Sequence, residues 1–221
     1  MSAFKPHWEV LSAAQRELWP RLKASVELGL VLYGGTAVAL RLGHRSSVDF
    51  DFFTEKPLDR GELERGFAFL GRSEVIQDQP DTLSVLAPAG TASVKVSVFG
   101  GIDIGRAGVP DRTPDGVVKV ASLLDLLATK LKVMQQRIEA KDYIDVAAIL
   151  RTGVALDEGL AAAEALYRPA FQPSEAMKAL TYFEGGDLGA LPAGDREILI
   201  RAVGRVRHIP NARVVSRSLS T

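Results

Sequence analysis

The chain has 221 residues, 47% of them hydrophobic and 24% charged, with 27 basic residues against 27 acidic ones. That length allows one large domain or two small ones, and the balance excludes any global attraction to nucleic acid or membrane, so a nucleic-acid contact needs a local patch. The absence of cysteine excludes disulfides, thiolate metal sites and cysteine nucleophiles, and suits a reducing cytoplasm. Residues 1–10 lack the apolar core of a signal peptide. No run approaches the ~18 apolar residues of a membrane span.

In chain order, 7–28 reads as a helix with Trp8, Leu11, Leu18, Leu22 and Val26 on one face, kinked or split at Pro20. A short apolar run at 30–33 reads as a buried strand, followed by a helix over 36–42 that Gly43 ends. Strand 48–53 comes next, then a helix over 58–70. Strands follow at 74–77, 82–86 and 92–99, with turns at 80–81 and 88–90. After Gly116 the pattern becomes helical: 120–137, 140–151 (a second helix, or a continuation past a kink), about 155–167, 173–183 and 194–206. The order predicts an α+β fold: an α/β domain over 1–116, then a helical domain over 117–221.

Chemistry concentrates in the first half. Gly34-Gly35-Thr36 follows a strand and opens a helix, where free N–H groups suit phosphate and glycine lets it come close. Asp49 and Asp51 alternate with apolar Val48, Phe50 and Phe52, so both carboxylates share one strand face. Two like charges on a buried strand are costly. A divalent cation, Mg²⁺ or Mn²⁺, shared with nucleotide phosphates relieves them. Arg45, four residues before Asp49, could pair with a phosphate or with the two carboxylates. In the second half Lys130, Arg137 and Lys141 share one stripe if the helix runs on, and a basic stripe suits a triphosphate. From residue 198 onward there are five arginines and no acid, a candidate RNA-docking segment.

Together, strand, Gly-Gly-Thr, helix and Arg45-Ser-Ser-Val-Asp-Phe-Asp-Phe-Phe53 resemble the nucleotidyltransferase superfamily. The run from Tyr33 to Phe53 is similar, more narrowly, to the AbiEii/AbiGii nucleotidyltransferase-like toxins of bacteria. Leu-Leu-Ala-Thr-Lys130-Leu-Lys, Arg137 and Lys141-Asp142-Tyr-Ile-Asp145 extend the likeness; it is clear over 33–53 and 123–150 and loose between. The resemblance implies transfer of a nucleotidyl group from an NTP, and assigns roles. Gly34, Gly35 and Thr36, with Arg45, Ser47 and Arg137, hold the nucleotide. Asp49 and Asp51 hold Mg²⁺, Lys130 contacts the triphosphate, and Asp142 or Asp145 orients the lysine or the acceptor. It also implies a cytoplasmic toxin with a cognate antitoxin, and tRNA or another RNA as acceptor.

One departure bears on mechanism. Polymerase-like members carry a third carboxylate as general base on a later strand, where this chain has Ser97. Serine is no base at neutral pH without help. Asp142, Asp145 or Asp103 could replace it, the transfer could need little base, or the chain could be a degenerate nucleotide- or protein-binding module. A small-molecule acceptor is a further alternative. His44 could touch a phosphate; His7 and His208 have no partner spacing.

Overall fold

The computed structural model describes residues 4–221, which fall into two compact units. The first holds the chain up to Gly105, Val109–Ser122 and Ser216–Thr221; the second holds Arg106–Gly108 and Leu123–Val215.

In the first unit the expected helix over 7–28 is broken into a 3-10 turn at Trp8–Val10, α1 at Ala13–Leu18 and a 3-10 segment at Trp19–Ser25. Ser12 restarts the chain as a capping box with Gln15, and Pro20, lacking an N–H, tightens the segment after α1. Then come β1 (Val31–Tyr33), α2 (Gly34–Leu42), β2 (Phe50–Phe53) and α3 (Arg60–Gly66). β3 (Glu74–Gln79), β4 (Thr82–Ala89) and β5 (Ala92–Phe99) form a meander. Two short strands that periodicity could not reveal come next, β6 (Asp111–Arg112) and β7 (Lys119–Val120). The turn expected at 88–90 shifts one step on: β4 runs through Pro88, and Gly90 at φ 59° makes the corner.

All seven strands join one mixed sheet, ordered β3-β4-β5-β2-β1-β7-β6. β2 lies antiparallel to β1 and parallel to β5 at its centre. The alternation expected for β2 is present: Phe50 and Phe52 are fully buried, while Asp51 and Phe53 are half-buried. Val48 departs from that pattern. It is 65% exposed, because the strand begins only at Phe50. Gly43 ends α2 in the left-handed region, as its position predicts.

The second unit contains α4 (Leu123–Val133), α5 (Ala140–Arg151), α6 (Leu156–Tyr167), α7 (Pro173–Ala179) and α8 (Ala193–Arg205). Leu127, Leu131, Val146, Ile149, Leu160 and Leu199 are its buried core. α4 and α6 approach closely at Gly159, where a Cβ would lie 2.3 Å from Leu127 Cδ2. α4 stops at Val133 and α5 begins at Ala140, so the chain does not run on as one helix. Lys130, Arg137 and Lys141 therefore share no continuous stripe.

The last residues are anchored to the first unit. Leu219 is fully buried, its N–H donates to Glu55 Oε2 at 3.1 Å, and Lys119 Nζ donates to the Ser220 carbonyl at 2.6 Å. Among the described residues no helix is long and apolar enough to cross a membrane.

Candidate functional site

In the first unit, β1 delivers the chain straight into α2 with no intervening loop. Tyr33 occupies the N-cap position, and its side chain makes no cap hydrogen bond to the opening N–H groups of α2. Gly34 takes φ +71°, a conformation that favours glycine. A Cβ there would lie 2.5 Å from Asp51 Oδ2; one at Gly35 would lie 2.6 Å from Arg45 Nη2 and 3.1 Å from Ser47 Oγ. The two glycines thus let the backbone touch a carboxylate on one side and a guanidinium on the other.

Thr36 is buried and ties this entry to the acidic segment. Its hydroxyl lies 2.9 Å from Ser47 Oγ and is bonded to the Asp49 carbonyl. A carbonyl only accepts, so Thr36 donates to Asp49 and Ser47 donates to Thr36. The threonine side chain clamps the loop before β2. Arg45 Nη1 donates to the Ser46 carbonyl at 2.9 Å. Gly34, Gly35, Thr36, Arg45, Ser47 and Asp51 lie around this one turn.

Sheet register places Asp51 between Tyr33 on β1 and Ser97 on β5, and Ser97 in turn opposite Ser84 on β4. Paired residues share a face. Ser97 is therefore the immediate cross-strand neighbour of Asp51, the place where a further carboxylate is expected. It is buried, and its hydroxyl pairs with Ser84 Oγ at 3.1 Å. Sequence reasoning misses Ser84, whose one signal along the chain is a hydroxyl at a buried step of an apolar strand. Tyr33 stacks on Phe53, ring centroids 4.6 Å apart, beside Asp51.

The second unit holds a separate polar cluster. Lys130 Nζ lies 2.7 Å from Asp142 Oδ1 and 2.6 Å from Asp145 Oδ2, and both carboxylates are fully buried. Arg137 Nε donates to Asp142 Oδ2 at 2.9 Å. The four charges cancel, and Lys130 uses two of its three N–H donors inside the cluster. Burial pushes the Asp142 carboxyl up, but the Lys130 ammonium and the Arg137 guanidinium outweigh it and hold its pKa below the ordinary aspartate value. Such a carboxylate is a poor base. Lys141, expected beside Lys130, instead pairs with Glu139 at 2.7 Å. Asp103 is almost fully exposed, 3.7 Å from Arg217.

Among the described residues no group of three or more His, Asp or Glu side chains is set to hold a metal. Two carboxylates with an all-oxygen donor set fit a hard cation such as Mg²⁺, which keeps waters and takes phosphate oxygens as its remaining ligands. Asp51 lies beside the glycine entry, whereas Asp49 precedes β2 and reaches the same turn through its backbone carbonyl, bonded to Thr36.

The model of the family described as nucleotidyl transferase AbiEii toxin, type IV toxin–antitoxin system, matches residues 21–198. An uncharacterized protein of Aquifex aeolicus is 33% identical over 181 residues, spanning 79% of this chain and 84% of that protein. Among solved structures, MenT4, a nucleotidyltransferase toxin from Mycobacterium tuberculosis, shares the fold with a TM-score of 0.52 at 13% identity. That match covers 85% of this chain and 82% of the other. An antigenic nucleotidyltransferase-like protein from Paracoccidioides brasiliensis superposes with a TM-score of 0.48 at 18% identity, over 77% and 87% of the two chains.

Proposed function

Given that this chain belongs to the AbiEii nucleotidyl transferase toxin family and is a nucleotidyltransferase, we propose that it moves a nucleotidyl group from an NTP to an RNA hydroxyl, tRNA being the first candidate. In cells it acts as the toxin of a pair whose antitoxin restrains it. The observation that carries this reading is the contact of the Gly34–Gly35 backbone with Asp51 on one side and with Arg45 and Ser47 on the other.

The N–H groups that open α2 bind the triphosphate, and Arg45 neutralises part of its charge. Asp49 and Asp51 would hold Mg²⁺, which when bound supplies charge neutralisation at the phosphates. The acceptor oxygen bonds to the α-phosphorus, the bond to the bridging oxygen of the β-phosphate breaks, and pyrophosphate leaves. The hydroxyl proton is released to water. With serine at position 97, no carboxylate is placed there to take that proton. Asp142 and Asp145 hold Lys130 in place rather than accept a proton, and the third N–H of Lys130 is the one left for a phosphate oxygen. Arg137 steadies Asp142.

The test is incubation with each of four NTPs labelled at the α-phosphate, Mg²⁺ and total tRNA, alongside Asp49→Asn and Asp51→Asn. Label should enter RNA with the parent, and only while Mg²⁺ or Mn²⁺ is present. Both variants should lose transfer while their melting temperatures hold or rise, because removing one of two neighbouring charges relieves repulsion. Full activity in both variants would refute the assignment of the two carboxylates. Labelling of a small molecule in place of RNA would refute the acceptor.

A further inference from the structure

Where α5 and α8 end, the second unit opens a cleft of about 540 Å³. Leu156 and Val206 contribute apolar walls, and Arg151, Arg201, Arg205 and Asp157 supply its charges. Three guanidinium groups thus face one carboxylate in a volume that suits a nucleotide-sized ligand.

The three arginines are held differently. Arg151 is bonded through Nη2 to the buried Asp195 in the first turn of α8, which fixes its planar fork at the cleft. Arg201 and Arg205 lie four residues apart on one face of α8, both exposed, and among the described residues neither has a carboxylate partner. Like charges at that spacing weaken a helix. A cation in the last turn is favoured by the helix dipole, which accounts for Arg151 and Arg205. It does not account for Arg201 a turn earlier. Nor does net charge, which is zero for the whole chain.

We propose that this cleft binds single-stranded RNA, with Arg201 and Arg205 on consecutive phosphates and the apolar wall beneath a ribose and base. Guanidinium forks match phosphate oxygens, and their planes also accept stacked bases. A bare inorganic anion would leave the apolar wall unused. An acidic peptide would satisfy the arginines, but it lacks the regular phosphate spacing that two arginines one helical turn apart can follow. The inference rests on RNA as the acceptor and gives that acceptor a second point of attachment, set on the helical unit.

The test measures RNA binding without turnover. Fluorescently labelled tRNA and a labelled single-stranded oligonucleotide are titrated with the full chain in the absence of NTP, by anisotropy, over a series of salt concentrations. The double variant Arg201→Glu/Arg205→Glu is compared with Arg201→Lys/Arg205→Lys; Arg151 is left in place because its loss would strand Asp195. Calorimetry of NTP with Mg²⁺ runs in parallel. The glutamate variant should bind RNA at least tenfold more weakly. Its log–log salt slope should be shallower by roughly 1.4, at about 0.7 per phosphate contact. The lysine variant should keep much of both, and NTP affinity should not change. Unaltered RNA affinity and slope in the glutamate variant, with the parent binding RNA, would overturn the cleft and leave the acceptor reading intact. A parent that binds NTP but no RNA at any salt would overturn both. A parent that ignores RNA yet binds polyglutamate would replace the inference with an acidic protein partner.

Discussion

Replacing Gly34 by alanine is expected to damage catalysis more than stability, and the structure sets both magnitudes. At φ +71° an alanine sits in the left-handed region, at a cost of about 1–2 kcal/mol. For a chain of this length such a loss lowers the melting temperature by about 2–8 °C. The new Cβ would also meet Asp51 Oδ2 at 2.5 Å. That oxygen must retreat by about 0.9 Å to reach an ordinary contact of about 3.4 Å, and a misplacement near 1 Å at a reacting centre costs on the order of a hundredfold in rate. The assay pairs melting curves with transfer from α-labelled NTP over a range of Mg²⁺ concentrations. Gly71→Ala is the control, since a Cβ there meets nothing within 4 Å. The expected result is a folded Gly34→Ala protein with transfer reduced about a hundredfold and a raised Mg²⁺ requirement, beside a control that behaves as the parent. Parent-like transfer in Gly34→Ala would refute the placement of Asp51 against the α2 entry as the working geometry.

Lys130→Ala removes the ammonium shared by two buried carboxylates, leaving Asp142 to Arg137, and should destabilise the protein by about 3–5 kcal/mol. Adding Asp142→Asn and Asp145→Asn should restore most of the melting temperature, while kcat/KM for NTP stays at least tenfold down because the remaining N–H donor is gone. The lowered pKa of Asp142 makes its contribution full above the unfolded aspartate pKa of about 3.9, and lost as pH falls through the lower folded value. Melting curves between pH 5 and 2 should therefore fall more steeply for the parent than for Asp142→Asn. Removal from water pushes the hydroxyl of Tyr167, a half-buried residue bonded to Thr129 at 3.0 Å, up to about 12. Tyr167→Phe should remove one slow, high-pH step from the ultraviolet titration and cost about 1 kcal/mol. Leu219→Ala should cost about 2–5 kcal/mol by leaving a cavity under the C-terminal strap, read by chemical denaturation.

Local pattern alone determined a good part of this protein. Alternation placed Phe50 and Phe52 inward and Asp51 on the other face, and Gly43 marked the end of α2, because both depend only on neighbours along the chain. The spacing of Gly34-Gly35 to Asp51 was enough to suggest a phosphate and metal site and a family. What the sequence could not supply were relations set by contacts between distant segments. The two-residue strands β6 and β7 exist only through their partners, so no periodicity announces them. Helical spacing alone implies a continuous basic stripe, but the break between Val133 and Ala140 turns Lys130 onto Asp142 and Asp145 instead. Register across the sheet, not sequence, made Ser97 the neighbour of Asp51 and gave it Ser84 as a partner. The arginines near the C-terminus read along the chain as a basic segment without acids; folding put Arg201 and Arg205 beside Arg151 at a cleft and buried Leu219 beyond them. Charge and periodicity are written along the chain, whereas which charges face each other is decided by packing of elements tens of residues apart.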